Sequence, residues 1–478
     1  MISNTESIAK TKILATLGPA TQDVESIRKL IKAGVDGVRL NFSHGSFDFF
    51  EELFNSIHIA CSEEKTPLAI LADLQGPKIR IGELEKPSVT LINGNLIEIT
   101  IDDIKGNEKV ISTSYKELAN DAEVGDQILI NDGLIRLKVV AKKTKSLVCE
   151  IINGGILTPK KGMNLPGMKL STPSITKKDY ENLEFILKQR VDYIALSFVR
   201  SADDVRELKD WLANRKSKIP VIAKIEKKEA VDNLFEIIMA ADGIMVARGD
   251  LGVELPPQEV PVLQKSIIKH CNALGKLVIT ATQMLESMIN SPVPTRAEAT
   301  DVANAVWDGT DVVMLSAETS VGQFPFQAVK MMNDIIINAE QHSEDRVSNF
   351  YLTPENLQEK LFDSVGKAVV EISKQINAQA IVVFTFEGRT ARIISKYKPD
   401  SNIIAISNSF DTMNNLCLRW GVTSVYREKI DKEHLAIDDA KELILKENLA
   451  HKGDLIIFTA GAPYSEKSRA NWLRFEVI

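Results

Sequence analysis

Eight short apolar runs, most of them followed by a helix-like stretch, constrain this chain more than any other feature. They are Lys12–Leu17, Gly37–Phe42, Leu68–Leu74, Tyr193–Phe198, Val221–Glu226, Gly243–Ala247, Leu277–Thr282 and Val312–Glu318. Each is rich in Val, Ile and Leu and has the length of a strand covered on both faces. Between them, Val24–Ala33, Ala202–Asn214, Val262–Ala273 and Ala297–Val306 carry apolar residues at three- and four-residue spacing, the pattern of one-sided helices. Eight such units predict a (β/α)8 TIM barrel; a doubly wound open sheet competes for the same alternation. No repeat beyond this alternation is read.

One connection is far too long for a barrel loop, which runs to about 2–6 residues. Gln75 to Leu170 separates the third run from the fourth and has a different texture. Val89–Leu91, Leu96–Ile101, Gln127–Ile130, Ile135–Val140 and Ser146–Ile152 read as short strands. Turn residues divide them: Asn93-Gly94, Asn131-Asp132-Gly133 and Asn153-Gly154-Gly155. The expectation is a small all-β domain over 75–170. It is inserted at the C-terminal, catalytic end of the third strand and so placed to act as a lid. The barrel itself is expected over 1–74 and 171–341. After a polar stretch, His342 to Gln358, the runs Ala380–Phe384, Asn402–Ile406, Val422–Val425 and Asp454–Phe458 alternate with helical segments. They predict a C-terminal open α/β domain over 342–478.

Composition narrows the function. The net charge is −7, from 58 basic and 65 acidic residues, which argues against sequence-independent nucleic-acid binding. The four cysteines are scattered without a CxxC pair, so neither a zinc site nor a disulfide framework is expected. The six histidines form no pair at ligand spacing, which leaves a hard, oxygen-bound cation as the metal to expect. Met1 to Lys10 lacks an apolar signal core, and no run reaches the ~18–20 residues of a membrane span. A cytoplasmic protein with no membrane partner is expected.

The chemistry is expected where the strands end. Lys224 and Glu226 lie two apart and so share one strand face. Inside a barrel they are either a satisfied ion pair or a working pair. Arg39, Asn41 and Ser43 share a face of the second run, and Asp73 ends the third. The sixth enters Arg248-Gly249-Asp250-Leu251-Gly252, the seventh ends at Thr282-Gln283, and the eighth at Ser316-Ala317-Glu318. So many polar strand ends read as a catalytic mouth. Glu226 and Asp250 suit Mg²⁺, while Arg39, Lys224 and Arg80 suit an anion, a combination that points to phosphoryl transfer. Lys160-Lys161-Gly162, on the return of the insertion, is either a solvated basic turn or a second phosphate contact.

These residues resemble the pyruvate kinase family. The resemblance rests on seven stretches in order: Val38–Gly45, Asp73–Arg80, Lys160–Gly167, Ala223–Glu226, Met245–Gly252, Ala281–Met288 and Pro294–Glu298. It implies transfer of the phosphoryl group of phosphoenolpyruvate to ADP, giving pyruvate and ATP, in the last step of glycolysis. It implies that Glu226 and Asp250 bind Mg²⁺, or Mn²⁺ in its place. Lys224 would neutralise the phosphoryl group in transit and Arg39 would contact phosphate. Asn41, His44, Arg80 and Lys161 would meet the nucleotide. The amides near Gly249 and Asp250, with Thr282, would hold the substrate carboxylate. Thr282, Ser316 and Glu318 would lie where the enolate is protonated. A homotetramer and a phosphorylated allosteric effector are further expectations from the resemblance.

Two departures from the family pattern stand out. The family commonly binds K⁺ through positions that are Asn41, Ser43, Asp73 and the carbonyl of Leu74 here. Lys78 follows Gly76-Pro77, where K⁺-dependent members usually carry Glu. A tethered ammonium can supply the charge of K⁺, so K⁺ is expected to be dispensable. The loop expected to take the effector, with Thr385, Gly388, Arg389 and Thr390, also contains Glu387, which would repel a phosphate. Ser465 and Ser468 stand in a second loop where the family often has Gly. Fructose 1,6-bisphosphate is therefore expected to activate poorly. The rival readings are a barrel aldolase or lyase acting on pyruvate enolate and a non-catalytic metabolite sensor.

Overall fold

The structure, a computed structural model, describes residues 9–43, 45–342, 351–354, 356–428, 433–461 and 470–478. Eight strands, Lys12–Thr16, Gly37–Asn41, Ala69–Asp73, Tyr193–Leu196, Val221–Ile225, Gly243–Ala247, Leu277–Ala281 and Val312–Leu315, form a closed barrel. All neighbours are parallel, and closure comes from the last strand pairing with the first, Leu14 opposite Met314. Closure decides against the open sheet. The period-two alternation explains the uniformly apolar runs. Leu14, Leu71, Ile222, Met245, Ile279 and Met314 fill the barrel, while Ile13, Val38, Ile70, Ile244 and Val278 face the surrounding helices.

The helices start and stop where local chemistry allows. Thr295 caps helix Arg296–Asp308 in a capping box with Glu298, and Gly309 ends it in the left-handed region at φ 91°.

The N-terminal mouth of the barrel carries a repeat that the sequence reading missed. Asp36, Asp192, Asp242 and Asp311 each stand just before an even-numbered strand. Each accepts a backbone amide at the start of the preceding strand: Ile13 (2.8 Å), Ile70 (2.8 Å), Val221 (2.9 Å) and Val278 (2.9 Å). Each also meets a cation: Lys12 (3.1 Å), Arg190 (3.6 Å), Lys209 (2.9 Å) and Lys398 (2.9 Å). The spacing between these aspartates follows loop lengths and is irregular, which hides the repeat from a search along the chain.

The insertion forms a six-stranded sheet of Met163–Asn164, Gln127–Ile130, Ile135–Lys142, Ser146–Asn153, Leu96–Thr100 and Val110–Ser112, with Gly155–Leu157 pairing separately to Val89–Leu91. Its core is its own, centred on Ile97, Ile99, Ile128, Leu137 and Leu147. The hairpin at Asn131-Asp132-Gly133 has three consecutive positive φ values, 56°, 54° and 84°, as that turn chemistry demands. Three short strands and helix Leu118–Asp121 were not anticipated.

The C-terminal domain is a five-stranded sheet in the order Val422–Tyr426, Asn402–Ser407, Ala380–Phe384, Leu455–Ala460 and Trp472–Val477. The first four are the predicted parallel strands. The last is an antiparallel edge strand, half exposed, whose mixed residues gave no continuous apolar run. The segment after its helix Phe410–Leu416 docks under the barrel. Cys417 and Leu418 join the barrel's inner apolar layer. A Cβ at Gly37 would lie 2.8 Å from Leu418 Cδ2, so the second strand starts with glycine to admit this plug.

Candidate active site

At the opposite mouth, Asp73 is the hub. It is fully buried at the end of the third strand, and Oδ2 accepts Arg39 Nε and Nη2, both at 2.7 Å. Oδ1 stands 3.2 Å from Lys224 Nζ. Lys224 also reaches Glu226 Oε1 at 2.8 Å and donates to Ser197 Oγ at 2.7 Å. Lys224 and Glu226 are therefore an ion pair, and a member of a larger network: two cations and two anions, all nearly buried. Burial works against the Asp73 carboxylate, but Lys224 and Arg39 outweigh it and hold its pKa below the ordinary value. Burial likewise opposes the Lys224 ammonium, and Asp73 and Glu226 overcome it and raise its pKa. Both groups stay charged at neutral pH.

Glu226 is in a different position. Burial raises its pKa, Lys224 lowers it, and the like charge of Asp250 raises it again. Its other oxygen, Oε2, accepts the amide of Phe198 at 2.9 Å. Asp250 sits exposed in the first turn of helix Arg248–Glu254, and among the described residues no cation pairs with it. The network thus has two balanced pairs, with the Asp250 carboxylate unpaired beside it. Two oxygen donors of like charge, acting on each other at the edge of a buried network, fit a divalent, oxygen-seeking cation. Among the described residues no group of three His, Cys, Asp or Glu forms a complete metal cage, as expected where substrate and water supply the remaining ligands.

Strained backbone frames this network. Phe198, Thr282 and Gln283 have φ of 55°, 68° and 53°. For a β-branched residue such as Thr that conformation is rare and costs about 1–3 kcal/mol. Arg248 holds it: its Nη2 donates to Thr282 O at 2.7 Å, and Asp301 fixes its Nη1 at 2.6 Å. Thr282 Oγ1 then accepts the amide of Gly249 at 2.8 Å and donates to Ala281 O at 2.7 Å. A Cβ at Gly249 would lie 3.4 Å from that hydroxyl. Glu318, also buried, accepts Ser316 N at 2.7 Å and Leu285 N at 3.1 Å, tying the eighth strand end to the turn after the seventh.

The inserted domain supplies a second set of groups. Arg80 bridges to Gly162 across the two connections of the inserted domain, and its Nη1 donates to Lys160 O at 3.1 Å. Lys160 pairs with Glu83 at 2.7 Å, while the Lys161 carbonyl accepts the amide of Ile81 at 2.9 Å. Lys78, Gly162 and Asn164 line one cleft with Phe198, Lys227 and Asp250, so the connections of the inserted domain and the unpaired carboxylate share a space. Ser43 N donates to Asn41 Oδ1 at 3.1 Å, and Leu74 O accepts Ser197 Oγ at 2.7 Å. His44 and the loop with Ser465 and Ser468 lie outside the described residues. Thr385, Gly388, Arg389 and Thr390 are in the separate C-terminal sheet domain, where Arg389 pairs with Glu387 at 2.6 Å.

Sequence reading missed Ser197, Phe198 and the clamp of Arg248 on Thr282. Ser197 looked like the tail of an apolar run, and nothing in a phenylalanine announces a left-handed backbone. Arg248 did have a signal, as a charged residue directly after a buried strand.

Comparison with known proteins agrees with this geometry. Residues 8–329 match the pyruvate kinase barrel domain and residues 363–475 the pyruvate kinase alpha/beta domain. Pyruvate kinase of Staphylococcus aureus strain USA300 is 42% identical over 471 residues, covering 98% of this chain and 80% of that protein. The protein of the bovine strain RF122 gives the same figures. In the crystal structure of a pyruvate kinase from Cryptosporidium parvum the fold superposes with a TM-score of 0.91 at 37% identity, covering 98% of this chain and 96% of that one. With both domains matched and near-complete coverage at this identity, the chain belongs to the pyruvate kinase family.

Proposed function

We infer that this chain, a phosphotransferase, moves the phosphoryl group of phosphoenolpyruvate to ADP at the C-terminal mouth of its barrel, giving pyruvate and ATP. The observation that carries this reading is the network of Asp73, Arg39, Lys224 and Glu226 beside the unpaired Asp250. Arg39 and Lys224 converge on Asp73, which puts two cations side by side, as a phosphoryl group losing its ester bond requires. Glu226 and Asp250 would hold Mg²⁺ or Mn²⁺. When bound, that cation offsets charge on the substrate oxygens. The backbone at Gly249 and Asp250, with Thr282 fixed beside it by the Gly249 amide, receives the substrate carboxylate. Asn41, His44, Arg80 and Lys161 meet the nucleotide. Thr282, Ser316 and Glu318 position the water that protonates the enolate.

Residues 75–170 act as a lid, 1–74 with 171–341 as the catalytic barrel, and 342–478 as a regulatory domain. The assembly is a cytoplasmic homotetramer by analogy with the family. Among the described residues no helix is long and apolar enough to cross a membrane. Pyruvate release in a coupled lactate dehydrogenase assay should require ADP. ADP-independent release would replace this reading with a lyase or aldolase.

K⁺ is dispensable in this reading. Asp73 is already engaged by Arg39 and Lys224, the Leu74 carbonyl is engaged by Ser197, and Lys78 lines the cleft with Asp250. With tetramethylammonium as the only monovalent cation, activity should be near its maximum; a many-fold rise on adding KCl would sink the idea. The effector is phosphorylated, but Glu387 neutralises Arg389 in its loop. Fructose 1,6-bisphosphate should activate poorly, and strong activation at micromolar levels would refute that.

A further inference from the structure

The plug under the barrel brings an unusual residue with it. Arg419 follows Leu418 and is only 8% exposed. Its Nε is buried with no hydrogen-bond partner, and among the described residues no carboxylate pairs with its guanidinium. A buried, unpaired guanidinium is costly unless something of opposite charge joins it.

The surrounding groups make the imbalance worse. Arg392 is half-buried on helix Arg389–Lys396, which packs on the plug segment where Ser395 Oγ donates to Trp420 O at 2.7 Å. Its Nη2 donates to the Glu387 carbonyl at 2.9 Å, and among the described residues no carboxylate pairs with it. Burial, then the charge of Arg419, pushes its pKa down to about 10. Lys276, at the foot of the seventh strand, also feels Arg419; its ammonium is spent on the carbonyls of Ala241 (2.6 Å) and Met239 (3.2 Å). The nearby carboxylates are committed elsewhere: Asp242 to Lys209 at 2.9 Å and Glu387 to Arg389 at 2.6 Å. The remaining neighbour, the Tyr193 hydroxyl, donates to Asn415 O at 2.5 Å. Three cations from both domains therefore act on one region in which, among the described residues, no carboxylate is left unpaired.

We propose that Arg419 and Arg392 bind a small tetrahedral oxyanion at the junction of the barrel's N-terminal mouth and the C-terminal domain. Two guanidinium forks suit phosphate or sulfate, and the small exposure of Arg419 suits the compact free ion over an ester. The ion would brace the two domains, with arginines from one and Lys276 and Tyr193 from the other.

The test is thermal unfolding of the full chain in chloride and in inorganic phosphate at equal ionic strength, with Arg419→Leu and Arg392→Gln beside it. Phosphate should raise the unfolding midpoint saturably, and each variant should weaken that apparent affinity roughly tenfold or more. In chloride, Arg419→Leu should unfold no earlier than the unmodified chain, because it removes an unpaired buried charge. If it fails to fold, Arg392→Gln decides alone. A parallel arm with β-glycerophosphate identifies the source: a smaller response than phosphate supports the free ion, and an equal or larger one overturns it. Equal phosphate shifts in the unmodified chain and both variants would assign the binding to another site and overturn the proposal, as would no shift at all.

Discussion

The two mouths of the barrel are formed by the same eight strands, yet they handle charge by different rules. At the N-terminal mouth, four aspartates do the same job four times, each taking one strand-start amide and one cation. At the C-terminal mouth no position repeats another. Asp73, Arg39, Lys224 and Glu226 form a single asymmetric network, and Asp250 leaves it one charge short of neutral. Repetition marks the face that satisfies backbone and closes the barrel. Its absence marks the face where each side chain has its own partner, which is what a reaction with distinct ends needs.

The strongest way to break that contrast is Lys224→Met. It removes the cation shared by Asp73 and Glu226 and leaves both carboxylates without it. Phosphoryl transfer should fall by about 10³-fold or more, while binding of the divalent cation, followed by Mn²⁺ titration, stays largely intact. Loss of metal affinity with transfer preserved would reverse the division of roles between Lys224 and Glu226.

How much of each mouth could be read from the chain follows from the same contrast. The barrel strands were legible because burial on both faces writes itself as an apolar run. The polar residues at their ends were legible one by one, where the apolar runs stop. The pairing of Arg39 with Asp73, 34 positions away, needed the strands to be set side by side. The four aspartates were invisible for a related reason: their likeness lies in barrel position, and the insertion and loops spread them unevenly along the chain. The plug was legible to no pattern, since Cys417 and Leu418 look like the end of an ordinary helix until the barrel is placed above them.

Leu418→Ala sharpens the comparison from the other side. It should cost roughly 3–4 kcal/mol of stability, as a buried leucine with a cavity left behind does. Denaturant unfolding would read that loss. Because the plug is at the end remote from the chemistry, turnover of the folded protein should hardly change. A fall in turnover matching that of Lys224→Met would mean the two mouths are not independent.

The smallest effect concerns the weakest of the four aspartates. Asp192 has the longest contact to its cation, 3.6 Å against 2.9–3.1 Å for the other three. Burial raises its pKa from an ordinary 3.8 to about 6, and Arg190 only partly offsets that. Between those values the folded chain holds a proton that the unfolded chain releases. Stability contributed here is therefore lost as pH rises from about 4 to about 6, and it stays lost above that. Asn at this position can still accept the Ile70 amide through its side-chain carbonyl, and it does not ionise. Relative to the unmodified chain, Asp192→Asn should gain about 2–3 kcal/mol between pH 4 and pH 7. Urea unfolding across that range reads the difference directly. A difference that stays flat with pH would mean that Arg190 offsets the burial of Asp192 in full, and that the longer contact in this member of the repeat has no consequence for its charge.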